Sequence, residues 1–180
     1  MTFNPDLVQK AWLLAATYHE GQRYYTAVEG ESLPYLTHLG AVLNEAQNAL
    51  RHDRSLNPKL MLLCAILHDS LEDTAMTVET LKTTVGNKVL AGVQALTKDE
   101  SLPTKREQME DSINRILEQP REIAAVKLCD RICNISSAPP SYWTKEKKDA
   151  YREEARYILE RLGPSCGYLR KRLAEKIEKY

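Results

Sequence analysis

Glycine, phenylalanine and an excess of either charge are all scarce in this sequence. It contains 7 glycines and 1 phenylalanine, and its 25 basic and 25 acidic side chains leave no formal net charge. This balance argues against a protein that binds nucleic acid through bulk attraction to phosphate, since such proteins are basic. Alternating apolar and polar runs are also rare, so strands are not the predicted elements.

Signals for membranes and for disulfides are missing as well. No segment approaches the ~20 apolar residues of a membrane span, and the short apolar run 11–16 has no basic leader typical of a signal peptide. The 4 cysteines contain no CxxC pair, so we interpret them as reduced core thiols. We therefore expect a cytoplasmic protein with no membrane partner.

Helical periodicity is what the sequence does contain. Apolar residues make up 43% of the chain and recur mostly at spacings of three and four. Asn-Pro pairs at 4–5 and 57–58 are typical helix starts, whereas Gln22–Pro34 is polar and predicts a loop. We predict an all-α fold, a single helical bundle over residues 1–180 with about eight to ten helices.

The predicted central helix, Leu60 to about Leu71, carries the main chemical signal. It is apolar up to His68-Asp69, and Glu72-Asp73 follow directly. On a helix, residues four apart are neighbours, so an imidazole and three carboxylates would meet at one end of a buried element. Carboxylates this close repel each other, and a divalent cation relieves that conflict. Imidazole together with carboxylate suits Mn, Fe or Zn better than Ca.

Two further candidate ligands lie elsewhere in the chain. His38 opens the predicted second helix, where a helix-start or core histidine is the simpler interpretation. Asp130 lies in a mostly apolar helical stretch, where a buried charge needs either a bound cation or an ion pair with Arg131 or Lys127. Together with the central helix, these residues form a three-part pattern of a His, then HDxxED, then KLxDRxxN.

With this pattern the chain resembles the HD-domain metal phosphohydrolases. Within that family it is most similar to the (p)ppGpp hydrolase branch, found in RelA/SpoT-type enzymes and in small stand-alone alarmone hydrolases. The resemblance covers most of the chain, through residues 21–23, 34–38, 65–74, 85–89, 96–99, 126–134, 151 and 161–163.

The resemblance implies a hydrolase that removes the 3′-pyrophosphate from guanosine 3′,5′-bispyrophosphate (ppGpp) or its 5′-triphosphate form (pppGpp), leaving GDP or GTP, respectively, and pyrophosphate. It implies that one metal ion, usually Mn²⁺, is bound by His38, His68, Asp69 and Asp130. It also implies that the attacking water is positioned and deprotonated by Glu72 and Asp73. The implied substrate contacts are Asn134 at the sugar-phosphate end, Tyr151 against the purine base, and Arg23 and Lys127 on phosphates.

The chain departs from the family at the mouth of the implied pocket. Tyr24-Tyr25 stand where the family usually has a basic pair, and the loop to Pro34 is about three residues longer than usual. An alternative activity is therefore a nucleotide phosphatase acting on the 2′-phosphate of NADPH or on nucleoside monophosphates. A binding module without turnover is a further alternative, which the complete set of candidate ligands disfavours.

The expected partner is a purine nucleotide, and the oligomeric state is left as monomer or homodimer. The last helix is basic, but Glu175 and Glu178 are interspersed among its cations. We interpret it as a solvated helix face and not as a surface that binds nucleic acid.

Overall fold

The structure is a computed structural model that describes residues 4–25, 30–136, 139–140 and 142–180. In these residues the chain forms ten α-helices, one 3₁₀ turn at Gly163–Ser165 and one two-stranded hairpin. The helices are α1 (Pro5–Tyr18), α2 (Leu36–His52), α3 (Pro58–Leu67), α4 (Ser70–Asp73), α5 (Val78–Val85), α6 (Asn87–Leu96), α7 (Lys105–Leu117), α8 (Arg121–Asn134), α9 (Lys145–Leu162) and α10 (Gly167–Lys179). The prediction of an all-α bundle is confirmed.

The centre of the bundle is α3, in which every residue from Leu60 to Leu67 is buried. The helix begins at Pro58, and the Asn57 side chain accepts a hydrogen bond from the Leu60 backbone at 3.2 Å, as the Asn-Pro signal predicts. It packs against α1, α2, α6 and α8. A helix covered on all sides has no polar face, which explains its uninterrupted apolar sequence.

The end of α3 differs from the prediction. The helix stops at Leu67, a turn contains His68 and Asp69, and the four-residue α4 follows. Nδ1 of His68 lies 2.9 Å from the carbonyl oxygen of Ala65, which is the acceptor that a continuous helix would offer to the Asp69 backbone. The side chain thus competes with the helical ladder where the predicted helix would have continued to Leu71.

Helix α8 is the second buried element and is covered from Glu122 to Ile132. Three of its charged residues are buried in ion pairs: Lys127 Nζ lies 3.0 Å from Asp130 Oδ2, and Arg131 pairs with Glu154 of α9. Buried charges are tolerated when they are paired in this way.

The predicted loop Gln22–Pro34 is wrong for six of its residues. Arg23–Tyr25 forms strand β1 and Ser32–Pro34 forms strand β2, which are antiparallel with Tyr24 opposite Leu33. Residues 26–29 of that prediction lie outside the described residues. The hairpin leads directly into α2, the helix that carries His38.

Helix α10 packs on the bundle through Leu169, Leu173 and Ile177, which are buried. On the same helix, Nε of Arg172 donates to Glu45 of α2 at 2.6 Å. At least one cation of this basic helix, Arg172, is therefore paired with another residue of the same chain. In the described residues, no helix combines the length and the apolar character needed to cross a bilayer.

Candidate metal centre and active site

Three side chains from three different helical segments converge on one point. Nε2 of His38, at the start of α2, lies 3.3 Å from Nε2 of His68, which follows α3. Oδ1 of Asp130, in α8, lies 3.4 Å from the first nitrogen and 3.9 Å from the second. The three ligand atoms all lie within 4.8 Å of one another, and all three residues are buried.

Asp69 completes the predicted set of four. Its Oδ2 lies 2.8 Å from Nε2 of His68 and 3.6 Å from Nε2 of His38. The structure therefore brings together all four residues proposed as ligands, although they come from stretches up to ninety-two positions apart. Two imidazole nitrogens and two carboxylates within this space are a donor set that fits a divalent transition metal.

The orientation of His68 supports this interpretation. Its Nδ1 faces the Ala65 carbonyl at 2.9 Å, an acceptor, so Nδ1 carries the proton and a neutral ring presents the Nε2 lone pair to the cluster. That lone pair would face the Asp69 carboxylate directly. A lone pair facing a carboxylate is repulsive unless a proton or a cation lies between them. A divalent metal ion bound by the cluster would remove this repulsion.

The electrostatics of the cluster show the same demand for positive charge. Burial lowers the pKa of His68, but the neighbouring Asp69 carboxylate outweighs it and raises the pKa to about 9. Burial also opposes ionisation of Asp130, yet the Lys127 ammonium and the two imidazoles hold its pKa well below the usual value. The carboxylates of the cluster are therefore stabilised in their ionised form by a protonated His68 ring and by the Lys127 ammonium.

Around Asp130, two predicted substrate contacts have intramolecular partners. Lys127 is buried and its ammonium pairs with Asp130 Oδ2, and Nδ2 of Asn134 donates to Asp130 Oδ1 at 2.5 Å. Both oxygens of Asp130 are therefore held by side chains from its own helix. The geometry places the Lys127 ammonium against a candidate ligand, and its contact with a substrate phosphate stays a prediction.

Glu72 and Asp73, the predicted catalytic pair, lie in α4 beside the cluster. Glu72 accepts from Lys98, through the backbone N–H and through the ammonium. Asp73 lies 3.4 Å from the Tyr35 hydroxyl. Partial burial, followed by the charges of Asp69 and Glu72, raises the pKa of Asp73. The two carboxylates therefore have different surroundings: within the described part of the chain, Glu72 is paired with a cation and Asp73 is not.

The sequence pattern assigns no role to Tyr35, although this residue lies within the segment 34–38 that resembles the family. The Tyr35 hydroxyl donates to Asp69 Oδ2 at 2.5 Å, and its ring stacks on His19 at 4.9 Å. The signal was its position three residues before His38. Tyr24, noted as a departure, stacks on the His38 ring at 5.4 Å with 15° between the planes.

The remaining predicted contacts, Tyr151 and Arg23, both interact with other side chains of the protein. Tyr151 has the Arg131 guanidinium over its ring at 4.4 Å and the Trp143 ring edge-on at 5.2 Å. Arg23 is exposed, and its guanidinium bonds Ser32 across the hairpin, with Nε 3.1 Å from the hydroxyl. The structure thus unites the ligand set and α4, while Arg23 is engaged within the hairpin.

Comparison with known proteins gives a consistent result, although no family model matches the chain. The chain is 29% identical over 151 residues to the guanosine-3′,5′-bis(diphosphate) 3′-pyrophosphohydrolase MESH1 of Danio rerio, which covers 82% of this chain and 79% of that protein. It is 34% identical over 147 residues to the guanosine-3′,5′-bis(diphosphate) 3′-pyrophosphohydrolase of Aquifex aeolicus, over 79% of this chain and 19% of that one.

A solved structure agrees with these relatives. The chain superimposes with a TM-score of 0.82 and 25% identity on a metazoan orthologue of SpoT that is described as hydrolysing ppGpp. The match covers 99% of this chain and 98% of the other. The similarity therefore includes the whole helical arrangement that positions the cluster.

Proposed function

We propose that this chain, a member of the ppGpp hydrolase branch of the HD-domain phosphohydrolases, removes the 3′-pyrophosphate from guanosine 3′,5′-bispyrophosphate. The products are GDP and pyrophosphate from ppGpp, or GTP and pyrophosphate from pppGpp, the form that carries a 5′-triphosphate. The observation that carries the proposal is the convergence of His38, His68, Asp69 and Asp130 beside two further carboxylates. The names of the relatives add the nucleotide class of the substrate.

We propose that the four converging residues hold one divalent ion, Mn²⁺ in our assignment. When bound, such an ion would polarise a phosphoryl oxygen and lower the pKa of its bound water toward about 7. His68 contributes Nε2 because its Nδ1 is fixed by the Ala65 carbonyl. Lys127 and Asn134 keep the Asp130 carboxylate in place from opposite oxygens.

Glu72 is the proposed general base, with Asp73 beside it. One water oxygen attacks the phosphorus next to the 3′ oxygen, one O–P bond breaks, and the pyrophosphate leaves the ribose. One proton of the attacking water passes to a Glu72 oxygen, and the ribose 3′ oxygen takes a proton from solvent as its bond to phosphorus breaks. Proton transfer by a positioned carboxylate typically contributes about 10²–10⁴-fold to the rate.

Three further residues are proposed to contact the substrate. Tyr151 would stack the purine, Asn134 would face the sugar-phosphate end, and Arg23 would contact phosphate once released from the hairpin. We propose that the hydrolase domain extends over residues 1–180, as a monomer or a homodimer. The 4 free cysteines are consistent with a reducing, cytoplasmic location. The NADPH phosphatase alternative is not favoured, because the named relatives act on ppGpp.

A turnover screen tests the function. Purified protein with Mn²⁺ is offered ppGpp, pppGpp, NADPH and several nucleoside monophosphates, and released pyrophosphate and phosphate are measured separately. We expect pyrophosphate from ppGpp and pppGpp. Phosphate release from NADPH or the monophosphates alone would overturn the proposed substrate.

Two variants test the site roles within the same assay. Asp130→Asn should lose metal binding and turnover together. Glu72→Gln should bind metal normally but turn over about 10²–10⁴-fold more slowly. Glu79→Gln, an exposed glutamate in α5, is the matched control. Near-normal turnover of Glu72→Gln at full metal occupancy would show that Glu72 is not the base.

A further inference from the structure

The Glu72 carboxylate is held at both of its oxygens by one residue from another part of the chain. The Lys98 backbone N–H donates to Oε2 at 2.9 Å, and the Lys98 ammonium lies 2.9 Å from Oε1. Lys98 follows α6, whereas Glu72 lies in α4. A carboxylate gripped at two points cannot rotate freely about its terminal bond, so this contact fixes both its position and its plane.

The segment that carries Lys98 is itself anchored. The guanidinium of Arg115, in α7, donates to the Thr97 carbonyl at 2.7 Å, and its Nε donates to Asp111 at 2.8 Å. The Thr97 hydroxyl and backbone N–H both bond the Val93 carbonyl, at 2.9 and 3.0 Å. Lys98 is therefore presented by a rigid helix end, and the clamp on Glu72 does not depend on a free loop.

The pair is partly withdrawn from water. The exposed fraction is 27% for the Lys98 side chain and 20% for that of Glu72, so their attraction is screened less than in a fully exposed pair. Among the described residues, Lys98 is the one cation within ion-pair distance of Glu72. Without it, the repulsion between the Glu72 and Asp73 carboxylates would be less compensated, and the Glu72 side chain would be free to leave this position.

We propose that Lys98 is a positioning residue that orients the Glu72 carboxylate toward the attacking water. This inference rests on the proposed role of Glu72 as the base. Each carboxylate oxygen has two lone pairs, and the clamp uses one on each, so a free lone pair remains to accept the water proton. Lys98 neither gains nor loses a proton in this step; it acts by fixing geometry.

A double-mutant cycle tests the inference. Lys98→Met is made in the wild-type and in the Glu72→Gln backgrounds, and kcat, KM and Mn²⁺ affinity are measured with whichever substrate of the screen the wild type turns over. In the wild-type background we expect kcat to fall roughly 10–100-fold, the effect of a misplaced catalytic group, with KM and metal affinity nearly unchanged. In the Glu72→Gln background the same change should have little further effect.

Two additional variants separate positioning from folding. Lys98→Arg keeps a cation and should recover most of the lost kcat. Lys88→Met removes an exposed lysine at the other end of α6 and should leave kcat unchanged. Thermal unfolding of each variant shows whether it is folded.

Three results would overturn the inference. The first is a kcat for Lys98→Met equal to that of the wild type. The second is an equal loss in both backgrounds, which would mean that Lys98 contacts the substrate directly. The third is a loss that Lys98→Arg does not recover. A wild-type protein that hydrolyses only NADPH or nucleoside monophosphates would refute the proposed substrate but still allow this cycle to be measured.

Discussion

Lys127 and Asp130 form a buried ion pair one turn apart in α8, with Nζ 3.0 Å from Oδ2. Burial opposes charge on both groups, yet their mutual attraction keeps the pKa of Lys127 raised and that of Asp130 lowered. The lysine thus supplies, in the metal-free protein, part of the positive charge that the cluster requires.

This pair predicts a stability change that metal should reduce. Lys127→Met leaves the Asp130 charge buried with less compensation, so the free energy of unfolding of the metal-free protein should fall by about 3–5 kcal/mol. Excess Mn²⁺ should restore much of that loss, because the ion supplies the missing charge. Urea unfolding with chelator and with Mn²⁺ measures both effects.

Lys171→Met, at an exposed position of α10, is the control for that series and should be close to neutral. If Lys127→Met unfolds at the wild-type urea concentration in the presence of chelator, the pair does not contribute to stability.

The Tyr35 hydroxyl predicts a change in metal affinity. Because it donates to Asp69 Oδ2 at 2.5 Å, Tyr35→Phe removes a hydrogen bond that orients a candidate ligand. Loss of such supporting bonds typically weakens metal binding about 10–100-fold. Calorimetric titration with Mn²⁺ measures the change, and Tyr157→Phe in α9 serves as a control remote from the cluster. Equal affinities for Tyr35→Phe and wild type would contradict the prediction.

Metal binding should depend on pH through His68. The pKa of His68 in the folded, metal-free protein is raised from 6.5 to about 9, so protons compete for Nε2 throughout the neutral range. Mn²⁺ affinity should therefore rise with pH up to about 9, by at most about tenfold per pH unit. Titrations at pH 6.5, 7.5 and 8.5 measure the slope, and a flat profile would show that no such proton is displaced.

The same shift has the opposite effect on the stability of the metal-free protein. A group whose pKa is raised on folding stabilises the protein fully below the unfolded-state value and loses that contribution as the pH rises through the folded value. The contribution of His68 should thus decrease between about pH 6.5 and 9. Urea unfolding in the presence of chelator should give a lower free energy of unfolding at about pH 9 than at about pH 6.5. The same measurement on His68→Asn shows how much of the difference comes from other titrating groups.

A larger residue in place of Gly92, at the contact between α6 and α8, should cause a packing defect. A Cβ at Gly92 would lie 2.5 Å from Cδ1 of Ile123 and 2.9 Å from Sγ of Cys64. Gly92→Ala should destabilise the protein by about 1–3 kcal/mol, despite the better helix propensity of alanine.

Ile123, the residue that a Cβ at Gly92 would overlap, supplies the control. Ile123→Val removes Cδ1, so the double variant should lose less stability than the sum of the single variants. Gly167→Ala, where a Cβ meets no atom within 4 Å, should be neutral or stabilising. Additive losses in the double variant would mean that steric overlap with Ile123 is not the cause.

Much of the helical framework could be predicted because its signals are local. The Asn4, Asn57 and Thr77 side chains each accept from backbone groups two or three residues ahead, so neighbouring residues alone decide where those helices begin. The hairpin could not be predicted in this way. Its pairing joins Arg23 to Pro34 across a segment whose composition is typical of a loop, and strand pairing is a non-local interaction.

The same distinction between local and non-local interactions applies to the candidate site. The sequence by itself determined the kinds of ligand, two imidazoles and several carboxylates, because residue chemistry is independent of folding. Only the tertiary structure decided which residues these carboxylates contact. Lys98 donates to Glu72 from 26 positions away in the chain, and Tyr35 donates to Asp69 from 34 positions away. Such pairs depend on how the helices pack against one another, and packing brings together residues whose positions in the chain carry no mutual signal.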